Sequence, residues 1–295
     1  MKRRAVALLV AIGPAVAATP ASTQQPTFTT RVDLVRVDVS VTRGRQPVGG
    51  LRAADFEVFD NGVRQQIESA SIERLPLNVF FVIDVSQSVA GAKLDELREA
   101  AETFLDGLEG DDRAGLITFS HEVLLGSDLT PSRSSIAEAL QQPVASGGTS
   151  LRDAIYAGLA LRRADAHREV LLVCTDGLDT ASWLTEAQLQ AAASRGNSLL
   201  YVVGLAPPGP GQKRSGSESF LAKLADLSGG RVWHAESSDW LKRAFLEVLA
   251  DIRTRYMLTY YPTNVPLDGW HALTVRVARQ GLIVKAREGY YAEKP

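Results

Sequence analysis

Three short segments of the chain contain the side chains whose types and spacing could do chemistry. They are Asp84-Val85-Ser86-Gln87-Ser88, Gly147-Gly148-Thr149-Ser150 and Thr175-Asp176-Gly177. Two carboxylates and three hydroxyls in these segments form one set of candidate ligands: Asp84, Ser86, Ser88, Thr149 and Asp176. Oxygen ligands of this kind suit hard cations such as Mg²⁺ and do not suit soft metals. We therefore predict a divalent-cation site built from these five residues.

The charges of this set favour a cation. Two ionised carboxylates about 6 Å apart repel each other by roughly 3 kcal/mol at an effective dielectric constant of about 20. A dication removes this repulsion, while the neutral hydroxyls add ligands without adding charge. Such a site would hold Mg²⁺, with Mn²⁺ or Ca²⁺ as alternatives. It would leave a coordination position for an anion, most naturally a carboxylate of another protein.

The elements around the segments predict a fold that brings the set together. Four nearly continuous apolar runs are typical of strands covered on both faces, at residues 77–83, 114–119, 169–175 and 199–205. Segments with helical spacing or a capping box alternate with them, at residues 94–108, 151–161, from 185 onward, 217–227 and 240–253. This alternation predicts an α/β fold, with a doubly wound, mostly parallel sheet flanked by helices.

The candidate ligands lie where strands end. Asp84 closes the first of the four strands, and Asp176 follows the third. In open parallel sheets, ligands bind beyond the carboxyl ends of the strands, where the strand order reverses. If these two strands are neighbours at the reversal, both carboxylates reach one crevice. Ser86 and Ser88 lie in the turn after the first strand, and Thr149 reaches the crevice from a glycine-rich loop.

The segments on either side of this region predict strands without helices. Valines at alternate positions from 35 to 41 are typical of a half-buried strand. Asp60-Asn61-Gly62 predicts a hairpin that joins residues 56–59 to residues 63–67. Further strands are predicted at residues 256–261, 271–277 and 282–287. We expect the N- and C-terminal segments to pair as one β module, because each alone is marginally stable.

The first residues indicate an export signal. Lys2-Arg3-Arg4 is basic, residues 5–16 are apolar but too few to span a bilayer, and Ala15-Val16-Ala17 is a small-x-small cleavage site. We predict a signal peptide at 1–18, a periplasmic or secreted product, and no stable membrane anchor after cleavage. An uncleaved anchor or a buried helix is the alternative. The predicted organisation continues with a flexible leader and N-terminal β segment at 19–75, the α/β domain at 76–254 and a C-terminal β segment at 255–295.

The composition excludes several classes of protein. With 45% hydrophobic and 22% charged residues and a net charge of −2, the chain is typical of globular proteins and unsuited to a polyanion partner such as nucleic acid. Cys174 is the only cysteine, so an intramolecular disulfide and a Cys-based zinc site are excluded. Because Cys174 lies in an apolar run, we predict a buried, inert thiol.

The three segments resemble the metal-ion-dependent adhesion site of von Willebrand factor type A domains. Asp84-x-Ser86-x-Ser88, Thr149 in Gly-Gly-Thr-Ser and Asp176 in Thr-Asp-Gly match five family positions in the family's order, over about residues 76–254. The resemblance implies adjacent strands ending at the two aspartates. It implies direct coordination by both serines, and direct or water-bridged contacts from the other three residues. The flanking β segments resemble those of exported bacterial proteins of a related group, including an Arg-x-Gly-Tyr-Tyr tail at 287–291.

Together these features predict an exported, Mg²⁺-dependent protein-binding module without enzyme activity. Its partner would present an Asp or Glu side chain to the cation. Gln87, Gly148 and Asp179 are the predicted partner-binding rim. For Asp179 and Arg152, solvated surface is the favoured alternative, and for Trp183 core packing is favoured over an exposed partner contact.

Other interpretations stay open at this point. Asp84-Val85-Ser86 superficially resembles phosphotransferases that use Asp-x-Asp, but Ser86 replaces the second carboxylate. A metal-dependent hydrolase and a structural domain with a vestigial site are the two functional alternatives. In a purely structural interpretation, Asp84 and Ser88 cap a helix, and Ser150 forms a capping box with Asp153.

Overall fold

The structure, a computed structural model, describes residues 34–163, 165–176, 179–205, 216–234 and 238–292. The predicted signal peptide and residues 19–33 of the leader lie outside the described residues, and so does Gly177 of the third motif segment. The described residues all belong to one compact unit. Within them, no helix combines the length and the apolar character that crossing a membrane requires.

The described residues contain both strands and helices throughout. The strands are β1 Val35–Arg43, β2 Gln46–Pro47, β3 Phe56–Asp60, β4 Val63–Gln65, β5 Ile67–Ile72, β6 Leu77–Asp84, β7 Arg113–Phe119, β8 Val123–Thr130, β9 Arg168–Thr175, β10 Leu199–Gly204, β11 Arg231–His234, β12 Tyr256–Tyr260, β13 Gly269–Val277, β14 Ile283–Ala286 and β15 Gly289–Ala292. The α-helices are α1 Ala92–Asp106, α2 Arg133–Gln141, α3 Leu151–Ala160, α4 Glu186–Arg195, α5 Gly216–Ser228 and α6 Ser238–Arg253.

A six-stranded sheet forms the centre of the α/β region, in the order β11-β10-β9-β6-β7-β8. Its strands are parallel except for β8, which is antiparallel to β7. The strand order reverses between β6 and β9, and these two strands pair directly. The predicted doubly wound sheet is therefore confirmed, and so is the adjacency of the two strands that carry the motif aspartates.

Helices cover both faces of this sheet. Leu97 of α1, Ile136 of α2 and Phe245 of α6 belong to the core on one face. Residues of α3, α4 and α5 form the core on the other face. Because both faces are covered, all eight residues of β6 are buried, which explains why all but Asn78 and Asp84 are apolar.

The N- and C-terminal strands form two further sheets that share a core. One sheet has the order β14-β1-β12-β5, with β2 paired to β1, and the other has the order β15-β13-β3-β4. Each sheet thus combines strands from the two ends of the chain, which confirms the predicted β module. Asn61 and Gly62 have φ angles of +46° and +79° at the predicted hairpin. Two residues with positive φ are what a type I′ hairpin turn requires.

The strand predicted at residues 63–67 is divided in the structure. It ends at Gln65 as β4, and the chain then enters the other sheet as β5. The buried side chain of Gln65 fixes this corner. Its Nε2 donates to the carbonyl oxygen of Thr263 at 3.1 Å, and its Oε1 accepts from the backbone N–H of Thr263 at 2.9 Å. A side chain that bonds to a neighbouring backbone in this way ends the strand pairing locally.

A buried arginine joins the β module to the α/β region. The side chain of Arg255, between α6 and β12, is 0% exposed. Its guanidinium donates to Tyr201 Oη at 3.1 Å and to Asp251 Oδ2 at 3.4 Å. It also donates to the carbonyl oxygens of Asp38 at 3.1 Å and Gly229 at 2.9 Å. One side chain therefore connects β1, α6, β10 and the turn after α5.

Candidate metal centre

Asp84 is held rigidly at the end of β6. Its side chain is 0% exposed, with Oδ1 accepting from the backbone N–H of Ser86 at 2.9 Å and Oδ2 accepting from Thr175 Oγ1 at 2.7 Å. Burial is the main cause that raises the pKa of this carboxyl, and the charge of Asp176 adds to the effect. A buried carboxylate with few donors is costly unless a positive charge lies near it.

The two serines of the first segment lie together in the turn after Asp84. Ser86 is buried and Ser88 is exposed, and their Oγ atoms are 3.0 Å apart. A short 3-10 turn, Gln87–Val89, fixes this arrangement. Helix α1 begins after Gly91 and has no side-chain cap, so Ser88 and Asp84 are not its caps. The capping interpretation of these two residues is therefore wrong.

The second segment is tied to the first by backbone hydrogen bonds. The N–H of Gln87 donates to the carbonyl oxygen of Gly147 at 3.2 Å, and the N–H of Ser146 donates to that of Val85 at 2.9 Å. Gly147 has a φ of +71°, and a Cβ at this position would lie 2.3 Å from His121 Nδ1. Only glycine fits here without strain. Thr149 follows with a buried side chain.

Asp176 completes the set from the end of β9, next to the Thr175 that bonds Asp84. Its Oδ1 is buried and has no hydrogen-bond partner among the described residues. Buried carboxylate oxygens are rarely left in this state unless a ligand, an ion or water completes them. Its contribution to the raised pKa of Asp84 indicates that the two carboxylates interact. Both observations fit a shared cation.

The structure brings the five predicted ligands to one end of the sheet. The first segment bonds to Thr175 through Asp84 and to the second segment through Gln87. The described residues contain no group of three or more His, Cys, Asp or Glu that could hold a metal ion. The predicted set contains two carboxylates and three hydroxyls, which is compatible with this finding. The individual ligand roles stay a prediction.

Asp179 is not at the solvated surface, so that expectation is wrong. Its side chain is only 9% exposed and accepts from the backbone N–H groups of Arg152 at 2.9 Å and Ser182 at 3.1 Å. It also pairs with the Arg152 guanidinium at 3.3 Å. Arg152 is partly buried by this contact. Asp179 therefore holds the loop after β9 against the start of α3.

Trp183 lies on the same loop and is 94% exposed, so the expected core packing is wrong. Asp153 anchors the loop there, because its two carboxylate oxygens accept from the N–H groups of Trp183 at 2.9 Å and Leu184 at 3.0 Å. Thr180 Oγ1 accepts from the N–H of Thr149 at 2.9 Å. The exposed indole thus belongs to a loop that is bonded directly to a predicted metal ligand.

Two further sequence interpretations are settled by contacts. Ser150 precedes α3 but makes no side-chain cap, so the predicted capping box with Asp153 is wrong. Its Oγ instead donates to the carbonyl oxygen of His121 at 3.2 Å. Cys174 is 0% exposed, and burial raises the pKa of its thiol, which confirms a buried, inert cysteine.

Val144 is an exposed apolar residue near the second motif segment that the sequence pattern does not indicate. It is 82% exposed on the loop before Gly147.

Comparison with known proteins agrees with this arrangement. The family model of the von Willebrand factor type A domain matches residues 78–245. Inter-alpha-trypsin inhibitor heavy chain H4 of Sus scrofa is 28% identical over 259 residues, which cover 82% of this chain and 26% of that protein. The chain thus spans about a quarter of the length of the curated relatives it matches.

Solved structures show the same fold at low sequence identity. Proximal thread matrix protein 1 from the mussel byssus, in a form with a zinc-occupied MIDAS motif, has a TM-score of 0.53 and 16% identity, covering 65% of this chain and 49% of that one. The PilB minor pilin of Streptococcus sanguinis has a TM-score of 0.51 and 13% identity, covering 62% and 63% of the two chains.

Proposed function

The chain belongs to the von Willebrand factor type A domain family, and from this premise we propose that it is a Mg²⁺-dependent protein-binding module. The proposed ligands of the cation are Asp84, Ser86, Ser88, Thr149 and Asp176. Mn²⁺ and Ca²⁺ are alternative occupants. The observation that carries the proposal is the buried Oδ1 of Asp176, which has no hydrogen-bond partner among the described residues and whose carboxylate interacts with the fully buried Asp84.

The donor set supports capture of a carboxylate. Two carboxylates balance the charge of one dication, and the three hydroxyls add no charge, so the site tolerates a further anionic ligand. Bound Mg²⁺ would supply a Lewis-acidic position for a carboxylate oxygen of the partner. Asp84 is oriented by the donors Ser86 and Thr175 and needs no rearrangement to act as a ligand. A partner that presents Asp or Glu fits these requirements.

The surroundings of the site support a protein partner. Exposed Gln87 and partly exposed Gly148 are the proposed rim, and Asp179 holds the loop that borders it. We add Trp183 and Val144, whose side chains are 94% and 82% exposed on loops bonded to the motif segments. Large exposed apolar side chains beside a specific polar site are typical of protein interfaces, where tryptophan often dominates the binding energy.

Binding is a better account of this site than catalysis. Ser86 occupies the position where an Asp-x-Asp phosphotransferase has its second acid, so the set lacks a general acid. The zinc-occupied motif of the mussel protein supports a divalent cation at a site of this family. We further propose that the module acts after export, in the periplasm or outside the cell, on the evidence of the basic and apolar N-terminal sequence.

Calorimetric titration with MgCl₂ tests the cation site. The wild-type protein should bind Mg²⁺ saturably, and Thr149→Ala should weaken binding by at least about tenfold. Ser150→Ala is the matched control, because Ser150 is the adjacent buried hydroxyl and bonds to the His121 carbonyl instead. If Thr149→Ala binds Mg²⁺ as the wild type does, the proposed ligand set is wrong. Pull-downs from the native source with the same variants, with and without EDTA, then test partner capture.

A further inference from the structure

A cavity of about 560 Å³ lies near the amino ends of β9 and β10, at the opposite end of the sheet from the motif segments. Arg168 and Leu199, the first residues of these two strands, line it. Arg36 and Asp38 of β1 and Arg287 of the C-terminal segment close it from the β module. None of the five proposed metal ligands borders this cavity.

The cavity lining contains twice as many guanidinium groups as carboxylates. Its arginines are Arg36, Arg162, Arg163, Arg168, Arg195 and Arg287, and its acids are Asp38, Asp165 and Glu169. All three acids already have partners. Asp38 pairs with Arg168 at 2.7 Å, Asp165 pairs with Arg113 at 3.1 Å, and Glu169 accepts from Asn78 Nδ2 at 2.8 Å.

Four of these arginines make no ion pair with a carboxylate of the described residues: Arg36, Arg162, Arg195 and Arg287. Arg287 is the most informative of them. Its guanidinium donates to neutral oxygens alone, namely Asn197 Oδ1 and the carbonyl oxygens of Gly196 at 3.2 Å and Gly289. Burial lowers the pKa of Arg287, and the nearby charge of Asp38 offsets this effect only in part.

Two other contacts hold cationic side chains at the cavity without neutralising them. Arg162 Nη1 donates to the carbonyl oxygen of Arg195 at 3.3 Å. The guanidinium of Arg195 lies 5.6 Å from the centre of the Tyr291 ring, in a cation–π contact. Such contacts fix the direction of a guanidinium but supply no negative charge. The cavity lining therefore carries more positive than negative charge, and contacts of this kind hold the guanidinium groups of Arg162, Arg195 and Arg287 in place.

We propose that this cavity binds a small anion with at least two phosphate-type or carboxylate groups. Its volume lies within the range of small-ligand sites in proteins, which is roughly 300–1,000 Å³. Guanidinium groups match the oxygens of carboxylate and phosphate with paired hydrogen bonds. A singly charged ion would leave most of the four unpaired arginines without a counter-charge. This binding site is independent of the cation site and of the function proposed for it.

Calorimetry with two probes, pyrophosphate and citrate, tests the proposal. The protein is stripped of metal and dialysed free of chelator, because both probes bind metal ions and a chelator is itself a polyanion. At an ionic strength of about 0.15 M, where exposed charges are largely screened, at least one probe should bind saturably. The probe that binds more tightly assigns the ligand to the phosphate or the carboxylate class.

Variants of the two side chains that are least involved in folding contacts locate the site. The double substitution Arg36→Gln with Arg195→Gln should weaken probe binding by at least about tenfold, with little change in the melting temperature. Arg243→Gln, which removes an exposed guanidinium of α6 outside the cavity, is the control and should bind as the wild type does. Saturable binding of neither probe would overturn the proposal. Binding that the double substitution leaves unchanged, or that Arg243→Gln weakens equally, would also overturn it.

Discussion

The two ends of the central sheet treat buried charge in opposite ways. At the carboxyl ends of β6 and β9, Asp84 and Asp176 make no ion pair with an Arg or Lys of the described residues, and one oxygen of Asp176 has no partner. Near the amino end of β9, Arg168 pairs with Asp38, and Arg255 bonds to Asp251. The first pair of residues carries the charge for which we propose a cation, whereas each guanidinium of the second group contacts a carboxylate of the chain.

This difference separates functional charge from structural charge. A buried carboxylate without a cation lowers stability, and the cation that we propose would offset this cost. A buried guanidinium with several acceptors instead joins elements that are distant in sequence. Arg255 does so for β1 and the α/β region, because it bonds to Asp38, which lies 217 residues away in the sequence, and to Tyr201. Substitutions and ligands that act on one end of the sheet at a time test this difference.

The largest effect on stability is expected from Arg255, at the end of the sheet where buried arginines contact carboxylates. Arg255→Ala would remove the buried cation that bonds to both Asp251 and Tyr201. Removing one member of a buried pair typically costs about 3–5 kcal/mol, so the free energy of unfolding measured in urea should fall by that amount. Arg243→Ala, an exposed arginine of the same helix as Asp251, should change stability by less than about 0.5 kcal/mol. Equal effects of the two substitutions would remove the distinction between the two ends.

A smaller effect on stability is expected when Mg²⁺ binds at the carboxyl ends of β6 and β9. Mg²⁺ at about 100 times its dissociation constant should raise the free energy of unfolding by about 2.7 kcal/mol, because only the folded state contains the site. Urea unfolding with Mg²⁺ and with EDTA measures this difference. Thr149→Ala should lose most of it and Ser150→Ala should retain it. A wild-type protein equally stable in both conditions would contradict the interpretation of the unpaired carboxylate.

Trp183 should affect binding without affecting stability. Its side chain is 94% exposed, so Trp183→Ala should change the free energy of unfolding by less than about 0.5 kcal/mol. If it contacts the partner, the same substitution should weaken capture by about 2 kcal/mol, or roughly 30-fold, as interface tryptophans do. Leu125→Ala, at a 51% exposed residue of the edge strand β8, is the control for capture. Unchanged capture by Trp183→Ala would limit the interface to the metal itself.

Much of this arrangement is predictable from the sequence, because local patterns specify it. Continuous apolar runs identify strands covered on both faces, and β6 is buried along its whole length. Asn61 and Gly62 specify the hairpin, and the capping box at Thr185 is present. The site segments are equally local, since each follows a predicted strand or precedes a predicted helix.

The errors have a common physical origin in tertiary contacts. Helix α2 was not predicted because only two of its residues, Ile136 and Leu140, are buried, which leaves a weak periodic signal. The burial of Asp179 and Trp183 is the reverse of the expected one for a similar reason. The polar residue is buried because Arg152 and Ser182 supply donors, and the apolar residue is exposed because Asp153 holds its backbone outward. Partners of this kind are distant in sequence and leave no pattern in it.

The smallest effect is expected from Glu169, the acid at the amino end of the sheet that bonds to an amide instead of an arginine. Burial raises the pKa of this carboxyl above its ordinary value of 4.5. A raised folded-state pKa favours the protonated acid, so the stability that Glu169 contributes is greatest below pH 4.5 and is lost as pH rises through the folded-state pKa.

Glu169→Gln keeps the acceptor for Asn78 but cannot ionise. Between about pH 4 and pH 7, the variant should therefore gain stability relative to the wild type, by less than about 1 kcal/mol because the group is partly exposed to solvent. Urea unfolding at several pH values measures the gain, with Glu122→Gln as the exposed control. A pH profile identical to that of the wild type would mean that burial does not favour the protonated form of Glu169. The contrast with Asp84, whose carboxyl pKa is raised by burial, would then be greater.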